Sequence, residues 1–247
     1  TVDCLKYGTL SPLYKDLSRF RPVTLLEPIY KCCMGTMATR LGRFLHSEDL
    51  LDPAQYGFVV DGSCIEPMTI VNRLYEHARA HAHPLHMAFL DATSAFDSVP
   101  HIALDAALRR LGAPDSYIAW LRAMLHGHRR VIATAYGVSS LDSATKLEAG
   151  EPQGCPASPI IWVIVVDFAL AYARTHGGTG YNLGSASVSQ LAFADDLACS
   201  DDHIGDSTTR GLKHTVQAQV VAMGALGVRF NAKKSYYAWS PATEIDG

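Results

Sequence analysis

The spacing of apolar residues divides the chain into helical and strand-like segments. Leu104, Leu108 and Leu111 recur at helical spacing before Gly112, whereas residues 85–90 form a short apolar run typical of a buried strand. Similar patterns predict helices over residues 25–45, 65–81, 117–125 and 158–175, and a last one with the apolar face Leu212, Val216, Val220 and Met223. Strand signals are found in residues 1–20, 131–135 and 228–230, and in a hairpin around residues 195–196.

From residue 85 onward, the predicted order is strand, helix, helix, strand, helix, hairpin, helix, strand. This order is typical of an α+β fold in which helices cover one face of an antiparallel sheet. No repeat, low-complexity segment or linker interrupts it.

Two adjacent carboxylates lie inside an apolar, strand-like run. Asp195 and Asp196 are flanked by Leu191, Phe193 and Leu197. An ionised carboxylate is costly to bury without a compensating cation or hydrogen bonds, so the pair predicts a metal ion. Because successive side chains of a strand point to opposite faces, the two acids are expected to have unequal roles.

Composition sets only broad limits. With 247 residues and 48% hydrophobic content, the chain can form a sizeable core in one domain or two packed subdomains. The formal net charge of -3 argues only weakly against a polyanionic partner, since bound cations would hide part of it. The six cysteines show no CxxC pair, which favours reduced intracellular thiols, whereas a location in the cytoplasm or the nucleus follows only from the function inferred below. The apolar run 159–173 contains Asp167 and is shorter than a membrane span, so it predicts a buried helix.

A third carboxylate, Asp91, ends the buried strand at residues 85–90. If this strand adjoins the Asp195 hairpin, the carboxylates meet and, with substrate phosphate oxygens, form an environment that Mg²⁺ prefers. Two such ions, about 3.5–4 Å apart, activate an attacking hydroxyl and stabilise a leaving oxygen.

Three further segments carry polar groups suited to nucleotides. Residues 150–159 form a Gly- and Pro-rich loop in which Gly154 allows the backbone to approach a ligand closely and Gln153 offers an amide to a nucleotide or template strand. Residues 231–235 place lysines after a short strand, and residues 19–26 form a basic cluster followed by Lys31.

Together these segments resemble the fingers and palm of a reverse transcriptase, most closely those of non-LTR (LINE-type) retrotransposons. Residues 12–15 and 21–26 resemble the N-terminal finger motifs of that family, and residues 55–58 (Gln-Tyr-Gly-Phe) the next one. Residues 91–97 fit its Asp-x4-Phe-Asp pattern, 153–159 its Gln-Gly-x3-Ser-Pro loop, 193–196 its aromatic-x-Asp-Asp box and 231–234 its Asn-x-x-Lys motif. A series of matches in the right order is far more specific than a single match.

The resemblance implies a role for each matched residue. Asp91 and Asp195 would bind two catalytic Mg²⁺ ions, with Mn²⁺ as a substitute, and Asp196 would support the same metal site less directly. Phe96 would exclude a ribose 2′-OH, so that deoxynucleotides are the substrate. The remaining implied substrate contacts are Gln153 and Gly154 in the nucleotide and template pocket, Lys234 near the triphosphate, and Arg21 and Lys31 from the fingers.

The same resemblance predicts a fingers subdomain over residues 1–84 and a palm over 85–247, with finger helices inserted around 101–130. The thumb and any endonuclease would lie outside this chain, and the predicted partners are an RNA template, a DNA primer and dNTPs. Residues 59–61 (Val-Val-Asp) stand where the family often has a basic residue, which weakens one expected contact to nucleic acid.

Other interpretations remain open. The chain is alternatively a group II intron or retron reverse transcriptase, an RNA-directed RNA polymerase, or an inactive palm scaffold that binds RNA. Phe96 disfavours the RNA polymerase, and the intact acids Asp91 and Asp195 disfavour the scaffold. Phe96 is alternatively a core residue, and Asp97 is better explained as a residue that caps the following helix or orients a loop than as a metal ligand.

Overall fold

A computed structural model describes residues 5–16, 19–93, 99–140, 143–146 and 149–240. The chain forms two compact units, the first made of Thr1–Glu48 with Ser94–Trp162 and the second of Asp49–Thr93 with Val163–Gly247. Each unit is thus built from two separate stretches of sequence. The predicted boundary between fingers and palm at residue 84 is a functional division, and it stays a prediction.

The helices and strands follow one another in chain order. The helices of the described residues are α1 (Pro28–Ser47), α2 (Ile65–Ala80), α3 (His101–Arg110), α4 (Asp115–Leu125), α5 (Ser158–His176) and α6 (Leu212–Ala225). The strands are β1 (Tyr7–Asp16), β2 (Arg19–Leu26), β3 (Leu85–Thr93), β4 (Arg129–Thr134), β5 (Gly137–Val138), β6 (Thr145–Lys146), β7 (Tyr181–Leu183), β8 (Ala186–Val188), β9 (Gln190–Phe193), β10 (Asp196–Asp201), β11 (Arg229–Phe230) and β12 (Tyr236–Ser240).

The first unit contains a sheet of strand order β2-β1-β4-β5, with β6 also paired to β4. β1 and β2 form a long antiparallel hairpin, and β1 pairs with β4 in parallel. Helices α3 and α4 pack as a pair, and Arg122 on α4 forms an ion pair with the buried Asp105 on α3. The predicted helix over residues 25–45 is wrong at its start, because residues 25–26 belong to β2. Pro28 stands at the beginning of α1, where its fixed φ suits the first helical turn.

The second unit contains the sheet that matters for the site, with strand order β11-β3-β10-β9 and β12 paired to β3. All of these pairs are antiparallel, as the sequence predicted. The second half of α2 packs on this sheet, where Leu74 and Ala78 form a buried cluster with Leu85 and Met87. This packing leaves the first half of α2 beside the end of β3 that carries Asp91.

By length and composition, α5 is the one helix of the described residues that could cross a membrane. However, 67% of its apolar window is buried inside the structure, and its Asp167 is buried as well. This burial agrees with the predicted core helix.

Candidate active site

The pairing of β3 with β10 brings two of the predicted acids together. In this antiparallel ladder Asp196 lies directly opposite Asp91. Side chains of directly opposed residues project from the same face, with Cβ atoms about 4.5–5.5 Å apart. The strand that carries Asp91 therefore adjoins the hairpin strand, which is the condition that the sequence argument required, and it continues past Asp91 to Thr93.

The three acids lie close enough for their charges to interact. Partial desolvation, then the negative charge of Asp195 and then that of Asp91, raise the pKa of the Asp196 carboxyl. Like charges held close together disfavour ionisation, and a divalent cation would relieve that repulsion.

A two-residue turn, Ala194 and Asp195, connects β9 to β10. Ala194 adopts a φ of 59°, the left-handed conformation that tight hairpin turns often require. Leu191 and Leu197 on either side are buried, but Asp195 and Asp196 themselves are exposed. The sequence argument from buried carboxylates was therefore wrong about burial: the apolar flanks anchor the turn, and the turn presents the acids to solvent.

The turn that follows β11 holds the backbone of Asp91 on both sides. The Asn231 N–H donates to the Asp91 carbonyl at 2.8 Å. The Asp91 N–H donates to the Ser235 hydroxyl oxygen at 3.2 Å, and that hydroxyl donates to the Asn231 carbonyl at 2.9 Å. Asn231 also closes its own turn, since its side-chain oxygen accepts the Lys233 N–H at 3.1 Å. Sequence reasoning gave Ser235 no role, because its contact with Asp91 joins residues far apart in the chain.

Lys234 projects from the same turn toward the acids. Its Nζ lies 3.7 Å from Asp91 Oδ2, and both side chains are partly exposed. Such a pair contributes about 0–1 kcal/mol to stability in water. Its value to the site is that it places a cation beside the carboxylates, where the sequence predicted a phosphate contact.

A cleft of about 570 Å³ opens beside these groups within the second unit. Asp91, Asp196 and Lys234 line it, together with Met68 on α2 and Tyr236 on β12. A volume of this size lies within the range of small-molecule sites. The walls are largely apolar, and the charged groups stand together at the end of β3.

The donor set fits a hard divalent cation. Asp91 and Asp196 offer carboxylate oxygens from one face of the sheet, which are ligands that Mg²⁺ prefers. Among the described residues no group of three or more His, Cys, Asp or Glu side chains forms a complete metal cage. Mg²⁺ usually keeps several waters and binds through one or two carboxylates plus substrate phosphates, so two carboxylates are enough.

Gln153 and Gly154 belong to the first unit. The Thr24 N–H on β2 donates to the Gln153 carbonyl at 2.7 Å. Gly154 has a φ of 113°, and a Cβ added there would lie 2.6 Å from the Thr24 carbonyl oxygen. The sequence argument expected close approach to a ligand at this glycine, whereas the structure shows close approach to the backbone of β2, which fixes the loop.

The same loop carries a buried acid that sequence reasoning missed. Glu151 is 3% exposed, and burial raises the pKa of its carboxyl to about 8, an effect that the Ser158 hydroxyl offsets only in part. Cys155 is buried beside it with its pKa raised to about 12, in line with the predicted packing role.

The structure describes two of the remaining predicted residues, Arg21 and Lys31, but not Phe96 and Asp97. Arg21 is exposed on β2, and Lys31 is half-buried in the first turn of α1, both in the first unit. Phe96 and Asp97 lie outside the described residues. The roles assigned to all the site residues by resemblance stay predictions.

Comparison with known sequences identifies relatives along almost the whole chain. A family profile described as "Reverse transcriptase (RNA-dependent DNA polymerase)" matches residues 13–244. The Pol polyprotein of the retrotransposable element R2DM of Drosophila melanogaster is 28% identical over 88% of this chain and 19% of its own length. That of the element R2 of Popillia japonica is 29% identical over 92% of this chain and 31% of its own length. The chain thus spans less than a third of these relatives.

Solved structures show the same fold at low sequence identity. Apo telomerase from Candida tropicalis, truncated from its C-terminal domain, aligns with a TM-score of 0.66 at 10% identity, covering 98% of this chain and 52% of that one. Telomerase of the same organism in complex with a fragment of telomeric RNA aligns with a TM-score of 0.68 at 11% identity, covering 96% of this chain and 41% of that one.

These likenesses confirm the α+β polymerase fold that the sequence predicted. With the family profile covering nearly every residue, and R2 elements among its relatives, the chain belongs to the reverse transcriptase (RNA-dependent DNA polymerase) family.

Proposed function

We propose that this chain carries the polymerase centre of a non-LTR retrotransposon protein, which extends a DNA primer with dNTPs on an RNA template. The observation that supports this most directly is the pairing of Asp91 with Asp196 across β3 and β10 in a member of the reverse transcriptase family. The R2 relatives support the retrotransposon origin. The chain covers only part of such proteins, so primer, template and dNTPs are proposed partners.

The chain's own residues would position the reactants. Asp91 and the hairpin acids concentrate negative charge at one edge of the cleft, where it attracts divalent cations. Bound there, two Mg²⁺ ions, or Mn²⁺ in their place, would activate the primer 3′-hydroxyl and neutralise charge on the leaving pyrophosphate. Lys234 would face the phosphates.

Three further roles are proposed on the family resemblance. Phe96 would exclude the 2′-OH of a ribonucleotide, and Gln153 with Gly154 would line the pocket for nucleotide and template. Arg21 and Lys31 would add cations from the fingers.

Primer extension on poly(rA)/oligo(dT) with Mg²⁺ tests the proposal. We expect dTTP incorporation by the chain or by the longer natural protein, and a loss of roughly two orders of magnitude or more in Asp91→Asn and Asp195→Asn. Asp49→Asn is the matched control, because Asp49 is exposed and its left-handed φ of 49° suits asparagine.

Three outcomes would change the conclusion. Incorporation that survives both substitutions would reject these acids as the catalytic centre. Incorporation of rUTP in preference to dTTP would favour an RNA polymerase. Tight binding of the duplex by folded protein, without incorporation in either form, would favour an inactive RNA-binding scaffold.

A further inference from the structure

A short segment before α2 runs beside the hairpin that carries Asp195 and Asp196. We call this segment, residues 52–57, the brace. The Ala192 N–H donates to the Ala54 carbonyl, and the Tyr56 N–H donates to the Ala192 carbonyl, each at 2.8 Å. Gln55 of the brace is thereby paired in parallel with Ala192 of β9. β9 leads directly into the turn.

Gly57 ends the brace against that turn. A Cβ added at Gly57 would lie 2.2 Å from the Ala194 nitrogen and 2.9 Å from the Phe193 carbonyl carbon. Its φ lies outside the left-handed region, so lack of space, and not backbone conformation, makes glycine necessary here. The Gly57 N–H is held by the buried Gln55 side chain, whose Oε1 accepts it at 2.9 Å. The backbone of Gly57 therefore packs directly against the Phe193–Ala194 peptide, at the start of the turn that carries Asp195.

The other end of the brace is tied to α5. The Asp52 N–H donates to the buried Asp167 carboxylate at 2.5 Å. Arg174, about two turns further along the same face of this helix, donates from Nε to Asp52 Oδ2 at 2.9 Å. Asp52 Oδ1 in turn accepts the Ala54 N–H at 2.9 Å. A mostly buried helix thus holds the start of the brace, and Gly57 at its other end contacts the hairpin turn.

We propose that the brace is a positioning element for the metal-binding acids. Gly57 sets how closely the Phe193–Ala194 peptide can approach the brace. Asp91 is held separately by the turn at Asn231. The brace therefore fixes the position of the hairpin acids relative to Asp91. The inference rests on the proposed function in that it takes the Asp91, Asp195 and Asp196 carboxylates as the metal site.

The decisive variant is Gly57→Ala, compared with Gly224→Ala in α6. At Gly224 an added Cβ meets no atom within 4 Å, so that variant introduces the same methyl group without a contact. Mn²⁺ titration of the protein without nucleic acid gives a readout that needs no catalysis. Primer extension gives kcat and KM for dTTP, and thermal unfolding gives Tm.

We expect Gly57→Ala to weaken Mn²⁺ binding roughly tenfold and to lower kcat by a similar factor, with KM for dTTP little changed. Gly224→Ala should match the wild type in Mn²⁺ affinity and in kcat, and its Tm should be equal or slightly higher, because alanine favours an exposed helix position over glycine. Adding Ala194→Gly to Gly57→Ala should recover part of the Mn²⁺ affinity, because glycine at a φ of 59° lets the turn shift at low cost. If Gly57→Ala folds poorly, Asp52→Asn weakens the other end of the brace and should shift Mn²⁺ affinity in the same direction by about twofold to fivefold.

Normal Mn²⁺ affinity and normal kcat in folded Gly57→Ala would overturn the proposal. So would a loss of binding that only follows the fall in Tm and that Ala194→Gly does not recover. Asp196→Asn is the control for the metal site, and equal Mn²⁺ binding by that variant and the wild type would also reject the inference. If the wild type does not extend primers, the proposed function fails, while the Mn²⁺ comparison still decides whether the brace positions the acids.

Discussion

Replacement of the buried acid beside the Gln153 loop should change how stability depends on pH. Glu151 is 3% exposed and lies against a small cavity that Trp162 also lines. Burial raises the pKa of its carboxyl from an ordinary 4.5 to about 8, so the folded protein holds it neutral at pH 7. Glu151→Gln keeps the shape of the side chain and removes the ionisation.

The size of the effect follows from the difference in pKa between the two states. Below about pH 4.5 both the folded and the unfolded chain hold the proton. As the pH rises from there to about 8, the unfolded chain releases the proton and the folded chain keeps it, so the free energy of unfolding falls. Each pH unit removes about 1.36 kcal/mol, which amounts to about 3 kcal/mol between pH 4.5 and pH 7. Glutamine avoids this loss.

Urea unfolding followed by tryptophan fluorescence at several pH values measures the prediction. The advantage of Glu151→Gln over the wild type should be small near pH 5 and should grow by about 3–4 kcal/mol at pH 8. The change of this difference with pH is what matters, because any effect of the glutamine amide on stability that does not depend on pH is the same at every pH. Glu48→Gln, at an exposed glutamate of the same unit, is the control and should leave the pH dependence as it is. A constant difference across this range would show that the folded protein ionises Glu151, and the reasoning from burial would be refuted.

Two other substitutions test the contacts that hold the site loops. Gly154→Ala should destabilise the protein by about 2–4 kcal/mol in urea unfolding, because it adds a clash with the Thr24 carbonyl to the strain of a positive φ. Gly137→Ala is the matched control, with a φ of 139° and no atom within 4 Å of the added Cβ, and an equal loss in both variants would exclude the clash. Ser235→Ala should cost about 0.5–1.5 kcal/mol, because the Asp91 N–H loses its acceptor. Ser235→Thr, which keeps the hydroxyl, should cost less in the same assay, and equal effects would mean that the hydroxyl is unimportant.

Local pattern was enough to find most elements of the fold. Apolar periodicity identified α2 and α5 to within a residue or two of their observed bounds, and β3 from its short apolar run. The sequence predicted that Gly112 stops the helix that became α3, and Gly112 indeed follows the end of that helix with a φ of 77°. These features depend on the intrinsic preferences of neighbouring residues, which the sequence displays directly.

Local pattern failed where a distant partner decides which residue is buried. The predicted apolar face of α6 included Val220, which is 49% exposed, while Gln219 beside it is fully buried. The Gln219 amide donates to Gln190 Oε1 on β9 at 2.8 Å. This hydrogen bond offsets the free-energy cost of burying the amide. Periodicity cannot show such a hydrogen bond, because it joins two elements far apart in the chain.

The site divides in the same way. The sequence by itself determined the chemistry of the site, namely the acids Asp91, Asp195 and Asp196 and the cation Lys234. It also showed that the motifs carrying them follow the order found in a known protein family. Only the tertiary structure decided that Asp196 stands opposite Asp91, and that Gly57 presses on the turn before Asp195. Residue identity fixes which groups can ionise or bind metal, whereas strand register and backbone approach are set by pairings between distant segments, and those form only when the whole unit folds.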